Sequence, residues 1–435
     1  MSKQTGLQDY AATPSPEASG AERARRTRPG FWAKIHTFDS LKERNYRWLW
    51  LGMLGSFAGM QMQMVARGWL VVDRLDGSAL DLGIVTSSTG APLLLFSLFG
   101  GVISDRFSKR NVLIVTQSCT GLVALFVAIL IVTDVVQIWH IILSSVLSGT
   151  IFAFNMPGRQ GLISELVSRD NLTNAVALNS AGMNLNRIVA PGLAGVLVGV
   201  VGIEGVYFLM VGCYAFAALS VMMIPATGPI PRRERGSMIE DLKAGLSYVR
   251  SSPVISSLLI LAFAPLIFAQ PYQALLPLFA KDVLDVGSGG FGVLIGAVGV
   301  GALLGTLGLA SLSNLRRRGV LMVALLMTFG MGLVLFAQST SLYLSLGALF
   351  IVGVGSMGYS ALNQTLLLTN TTPEMRGRVT SIYLMSFGLM PLGVLPMGAA
   401  ADAISPSAAL TMGAALLMVS TLAVMAWRPQ LRQLR

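Results

Sequence analysis

Long apolar runs separated by short polar breaks dominate the chain, at about 46–72, 79–103, 111–133, 136–157, 172–201, 203–224, 253–280, 289–313, 319–338, 341–366, 379–401 and 406–427. Each is long enough to cross a bilayer, since roughly 20 residues rising about 1.5 Å apiece span the ~30 Å hydrocarbon core. Backbone groups in that layer must be satisfied within their own segment, so the pattern predicts an all-α polytopic membrane protein with twelve transmembrane helices. The longest polar break, Pro225 to Ser252, separates two sets of six. It defines an N-terminal bundle over 45–224, a cytoplasmic linker over 225–252, a C-terminal bundle over 253–427 and a short tail over 428–435. Ahead of them lies a polar tail, 1–44, in which Ala11 to Gly20 offers little to bury and is expected to be disordered. Phe31, Trp32, Ile35, Phe38 and Leu41 alternate with Lys34, Lys42 and Arg44, the pattern of an interfacial helix. No basic start followed by a short apolar core and a small-residue cleavage site is found, so the first run reads as a permanent helix.

Basic residues set the expected orientation. Of 31 lysines and arginines, 27 fall in the two tails and the even-numbered loops, Arg159 among them. Arg74 and Lys281 lie in odd-numbered loops, and Arg67 and Arg187 within apolar runs. Positive charge collects on cytoplasmic loops, so both termini are expected on the cytoplasmic side of a bacterial inner membrane. The same distribution accounts for the net charge of +11 with no nucleic-acid partner. With 12% charged residues the chain lies far from the ~25% typical of soluble domains. Cys119 and Cys213 sit inside apolar runs at no metal or redox spacing, and no metal or cofactor is expected.

One loop carries most of the organised charge. From Gly100 to Leu113 the chain reads Gly-Gly-Val-Ile-Ser-Asp-Arg-Phe-Ser-Lys-Arg-Asn-Val-Leu. Gly101 allows close helix approach, while Asp105, Arg106, Lys109 and Arg110 can bond one another or cap carbonyls at a neighbouring helix end, forming a clasp. The two halves also look like repeats: a shift of 203 residues lays Gln160 on Asn363 and Gly195 on Gly398. In the second copy Ser311 to Leu315 contains no acid, so its clasp is weaker or made elsewhere.

Ionisable groups within the bilayer are costly and mark function by default. Arg187 lies midway along the fifth run, beside Asn184 and Pro191, and its fork suits a carboxylate, catecholate or phosphate. The alternative is that it bonds carbonyls freed around Pro191 or bridges Asn155. Arg67 lies near the outer end of the first run, where snorkelling or pairing with Asp73 competes with substrate contact. Gln61 and Gln63 are two apart on a helix and cannot share a face. In the seventh run Gln270, Pro271, Tyr272 and Gln273 place a helix break beside polar groups at mid-depth. Tyr359 and Asn363 in the tenth run are path candidates, with interhelical bonding as the alternative. All twenty acids fall in tails, loops or helix ends. A proton carrier would therefore be Asp73, Asp81, Asp105, His140 or the cargo itself, which favours an anionic or neutral cargo.

The segment from Gly101 to Arg110 resembles the loop between helices 2 and 3 of the major facilitator superfamily, Gly-x-Leu-Ala-Asp-Arg-x-Gly-Arg-Lys, with Ser108 in the place of the second glycine. Arg67-Gly68-Trp69-Leu70-Val71, Asn155-Met156-Pro157 and Asn179 through Pro191 are similar to the branch containing enterobactin exporters and transmembrane secretion effectors. Ala190-Pro191-Gly192-Leu193-Ala194-Gly195 is similar to the antiporter motif Gly-Pro-x-x-Gly-Gly, with alanine in two glycine places. The resemblance implies rocker-switch alternating access by a monomer, with a small-molecule cargo such as a siderophore or drug held between the bundles and protons as coupling ion. Uptake of organic anions, or a receptor that keeps the fold without the cycle, are the competing readings. No Gly-x-x-x-x-Gly-Lys-Ser/Thr loop and no catalytic constellation appears, so an enzyme is not expected.

Overall fold

The computed structural model describes residues 39–168, 171–225, 238–311, 317–428 and 430–431. The side chains of 39, 97–106, 238–242, 384 and 387 lie outside that description. So do the tail through Phe38, the linker residues 226–237, the second clasp at Ser311 to Leu315 beyond its first residue, and the side chains of Asp105 and Arg106.

Apolar composition drives helix formation almost everywhere. In the first half these helices are α1 (Arg44–Trp69), α2 (Ala79–Arg106), α3 (Lys109–Val132), α4 (Ile138–Leu166), α5 (172–201) and α6 (203–222). Following the linker helix Met238–Ser251 come α7, broken into Pro253–Phe268 and Tyr272–Leu278, then α8 (Gly287–Ser311), α9 (Arg318–Ala337) and α10 (Leu342–Thr369). The last two are α11, broken into Arg376–Met385 and Pro391–Ala403, and α12 (Pro406–Trp427). Nine helices among the described residues are long and apolar enough to cross a membrane, one of them the 51-residue Leu172–Met222 that contains both α5 and α6.

Gly202 divides that long helix. It sits at φ 77, ψ 169, a region an L side chain rarely enters, so glycine makes a turn with no intervening loop. The neighbours show the reversal. Tyr46 and Trp50 of α1 donate to the carbonyls of Ala175 and Leu178, so α5 runs parallel to α1. Gly52 meets Ala217 and Ser220 while Gly59 meets Tyr214, so α6 runs back beside it.

Both halves use the same device after their first helix. The five residues Leu70–Arg74 and Phe279–Val283 each widen into a π turn, followed by Asp76 at φ 44 and Asp285 at φ 50. Local chemistry ends the hairpin: Ser78 N–H donates to Asp81 Oδ2 (2.9 Å) and Asp81 N–H to Ser78 Oγ (3.2 Å), a capping box opening α2.

Two boundaries differ from the hydropathy reading. Helix α4 continues nine residues past Pro157 to Leu166, because Gly158, Leu162 and Ile163 stay buried on one face. Arg159 therefore belongs to a spanning helix and not to a loop. Helix α11 is interrupted by a 3-10 turn at Ser386–Leu389 ahead of Pro391, where a continuous run is expected from composition.

The halves touch along two seams. Helix α5 packs on α8, where the Gly195 and Gly292 backbones meet, and α2 packs on α11, where Gly83 faces Val394 and Gly398 faces Ala79 and Leu80. All of these contacts lie between mid-depth and the face opposite Arg44 and Trp427. At that far face the Trp69 and Phe291 rings stack at 6.1 Å, and Lys281 Nζ donates to the Val72 carbonyl (2.7 Å) and to Asp76 (3.3 Å).

Candidate transport site

Two pockets with polar residues in their walls open at mid-depth, one between the halves and one within the first half. One, of ≈ 90 Å³, is lined by Gln61, Arg187, Gln270, Tyr272, Gln273 and Met357 among others. The second, of ≈ 190 Å³, lies on the α1–α5 side, against Phe57, Met60, Gln61, Met183, Asn184 and Arg187. Gln61 and Arg187 border both, so the two form one polar tract. Six residues singled out in the sequence thus converge from α1, α5 and α7: Gln61, Asn184, Arg187, Gln270, Tyr272 and Gln273.

Arg187 is the charge in this tract. Its Nη1 lies 3.6 Å from the Met357 thioether, a weak acceptor, and it makes no ion pair among the described residues. It bonds neither Asn155 nor the carbonyls near Pro191. Around it the second half contributes amide and phenol groups: the α7 break brings the Gln273 Nε2 donor onto Gln270 Oε1 at 3.0 Å. Tyr272 is buried edge-on against Phe329. A guanidinium with an open fork, flanked by neutral amides, can seat a planar anion.

The remaining candidates lie elsewhere. Arg67 does not snorkel and does not pair with Asp73; its Nη1 donates to Thr89 (2.9 Å) and Ser145 (3.1 Å), joining α1, α2 and α4. Gln63, on another face from Gln61, donates to Ser148 Oγ at 3.4 Å. Asn155, 5% exposed, donates to Thr116 (2.8 Å) and accepts from Arg159 Nη2 (2.7 Å). Tyr359 donates to the Leu261 carbonyl (2.7 Å), and Asn363 to that of Leu258 (3.0 Å), tying α10 to α7. Ala190, Pro191 and Gly195 are buried along the α8 seam.

In the described part of the clasp, Lys109 pairs with Glu165 of α4. Arg110 caps the end of α6 through Nε to the Ile224 carbonyl (2.6 Å) and Nη2 to that of Met222 (2.8 Å). Ser108 takes the N-cap of α3, accepting from Asn111 N–H.

Sequence reasoning passed over two groups that the structure brings forward. Arg159 joins Arg67 and Arg187 as a third arginine away from the helix ends in the first half; the continued apolar spacing at Leu162, Ile163 and Leu166 was the available signal. Asp402, near the end of α11, accepts the first two N–H groups of α2, Ala79 and Leu80, both at 2.9 Å. That cross-seam cap joins residues more than 300 apart in sequence, and no local pattern marks it.

Paired helical halves around a mid-depth polar tract, closed at one end, define a multi-pass transporter of the major facilitator class rather than an enzyme. Solved structures support the fold: a nucleoside transporter, NupG, superposes with TM-score 0.74 over 88% of this chain and 99% of its own, at 15% identity. A bacterial homologue of the lysosomal transporter Spinster, inward-facing and occupied, gives 0.64 over 90% and 95%, at 14% identity. Residues 35–434 match the family described as transmembrane secretion effector, and the chain belongs to that family. Similar relatives include a staphyloferrin A transporter of Staphylococcus aureus, 26% identical over 80% of this chain and 87% of the relative. The multidrug efflux pump Tap of Mycolicibacterium fortuitum is 27% identical over 87% and 94%. The enterobactin exporter EntS of Escherichia coli is 25% identical over 77% of each.

Proposed function

We propose that the protein is a proton-driven exporter of small, anion-bearing organic molecules, siderophore-like or drug-like, working by rocker-switch alternating access. The observation that carries the reading is Arg187, a cation inside the cavity between the halves whose described partner is a thioether. An uncompensated buried charge is expensive, and a cargo anion relieves that cost on binding. Export follows two relatives, the multidrug efflux pump Tap and the enterobactin exporter EntS. The bundles 45–224 and 253–427 are taken as the rocking bodies. With both termini cytoplasmic, as the basic loops argue, closure at the far face is the inward-facing state, ready to load from the cytoplasm.

The test is transport in proteoliposomes under an imposed pH gradient, with catecholate, carboxylate and lipophilic-cation substrates. Gradient-dependent movement of an anionic substrate supports the reading; none for any substrate, in either direction, ends it. Arg187→Gln is expected to weaken anion binding by about 10-fold or more, the scale of a lost charge-assisted pair. Uptake of organic anions is the second reading, favoured by the same arginine, and the direction of accumulation in cells separates the two.

A further inference from the structure

Arg159, like Arg187, is a cation inside the first six helices that no described acid neutralises. Its Nη2 is held by Asn155, itself held by Thr116, but its Nε is buried with no hydrogen-bond partner. Among the described residues it makes no ion pair. Glu165, the acid on the same helix, is taken by Lys109 and lies six positions on, turned to another face. Instead the guanidinium rests on the Phe57 ring, 4.4 Å from its centroid. Phe57 is also a wall of the ≈ 190 Å³ pocket that ends at Arg187. One aromatic side chain therefore separates Arg159 from the transport cavity.

We propose that Arg159 is a second anion subsite, screened by the Phe57 ring, so that the cargo carries two separated anionic groups: one seated on Arg187, the other on Arg159. This rests on the reading that the cavity carries the cargo. Two guanidinium groups on one low-dielectric compartment repel, and a monoanion would leave one of them uncompensated. A carboxylate on the open Nε edge makes a stronger contact than a ring face, so an incoming anion displaces Phe57 by a side-chain rotation. Thr116 and Asn155 hold the guanidinium in place while the ring moves. The second half brings only neutral groups to the cavity lining, which assigns both anion contacts to the first half.

Calorimetry on the purified full-length protein in nanodiscs tests this with α,ω-dicarboxylates from glutarate to suberate against monocarboxylates of equal length. Wild-type protein is expected to prefer a dicarboxylate of one intermediate length. Arg187→Gln is expected to weaken both probes. Arg159→Gln is expected to weaken the dicarboxylate by about 10-fold or more and the monocarboxylate by less than about 2-fold, and Arg159→Lys to keep part of the preference. Equal loss of both probes in Arg159→Gln, no loss of the dicarboxylate, or a wild type that binds neither probe overturns the subsite. Arg159→Lys, which preserves the charge, carries the same comparison if the glutamine variant does not fold. Failure here leaves the exporter reading to the proteoliposome result, where a transported cation would uphold export while removing the dianion.

Discussion

The two seams that join the halves close the same face by different chemistry. Along α5 and α8 the contact is backbone on backbone at Gly195 and Gly292, with Gly299 against Ile188, and nothing in it is directional. Along α2 and α11 glycines also bring the helices together, but there Asp402 adds a charged cap on the Ala79 and Leu80 N–H groups. Dispersion contacts between smooth surfaces allow graded sliding and tilting, whereas two bonds from one carboxylate are made or lost together. The first seam is suited to be a fulcrum and the second a latch.

The largest expected effect comes from roughening the fulcrum. A side chain at Gly195 meets the Ser288 carbonyl and the Gly292 backbone, which cannot rotate away. Gly195→Leu should oppose closure by about 3 kcal/mol, enough to abolish turnover while the protein still inserts and folds. Spin labels on Trp139 and Tyr343, exposed on opposite halves at the far face, should report a lengthened distance.

Next comes the latch. Asp402→Asn keeps the shape but loses the charge and one acceptor, and is expected to shift the equilibrium away from closure by about 1–2 kcal/mol, near 10-fold. The same labels should show a mixed population in place of a uniformly open one. A uniformly open population would mean that the latch alone holds the face shut, erasing the distinction between the seams.

The smallest effect belongs to Lys281. Its contact with Asp76 joins a half-buried lysine to an exposed carboxylate, so Lys281→Ala should shift the populations by about 0.5 kcal/mol, roughly twofold. Added salt should mute most of the ionic part, leaving the lost bond to Val72.

How much of this was legible depended on the range of the interaction. Spans are local facts: a run such as 406–427 is apolar enough to declare itself and matches α12 at both ends. The tract around Arg187 was half legible. A cation and a Gln-Pro-Tyr-Gln break stood out in apolar surroundings, but the sequence left Arg187 equally free to bond carbonyls near Pro191 or bridge Asn155. Only the fold brings the cation and the break to one pocket. Arg67 misled because Asp73 is near in sequence, while its partners Thr89 and Ser145 lie on other helices. Arg159 misled because hydropathy falls after Pro157 although the helix does not end. Asp402 looked like any acid at a helix end, and only the folded arrangement sets it over the start of α2.

The turn at Gly202 couples these parts in one more way. Because α5 passes into α6 with no slack between them, any tilt of α5 against its glycine seam is delivered straight to α6, whose far end is gripped by Arg110. A displacement beginning on the closed side is thereby levered across the full thickness of the membrane to the loop joining α2 and α3.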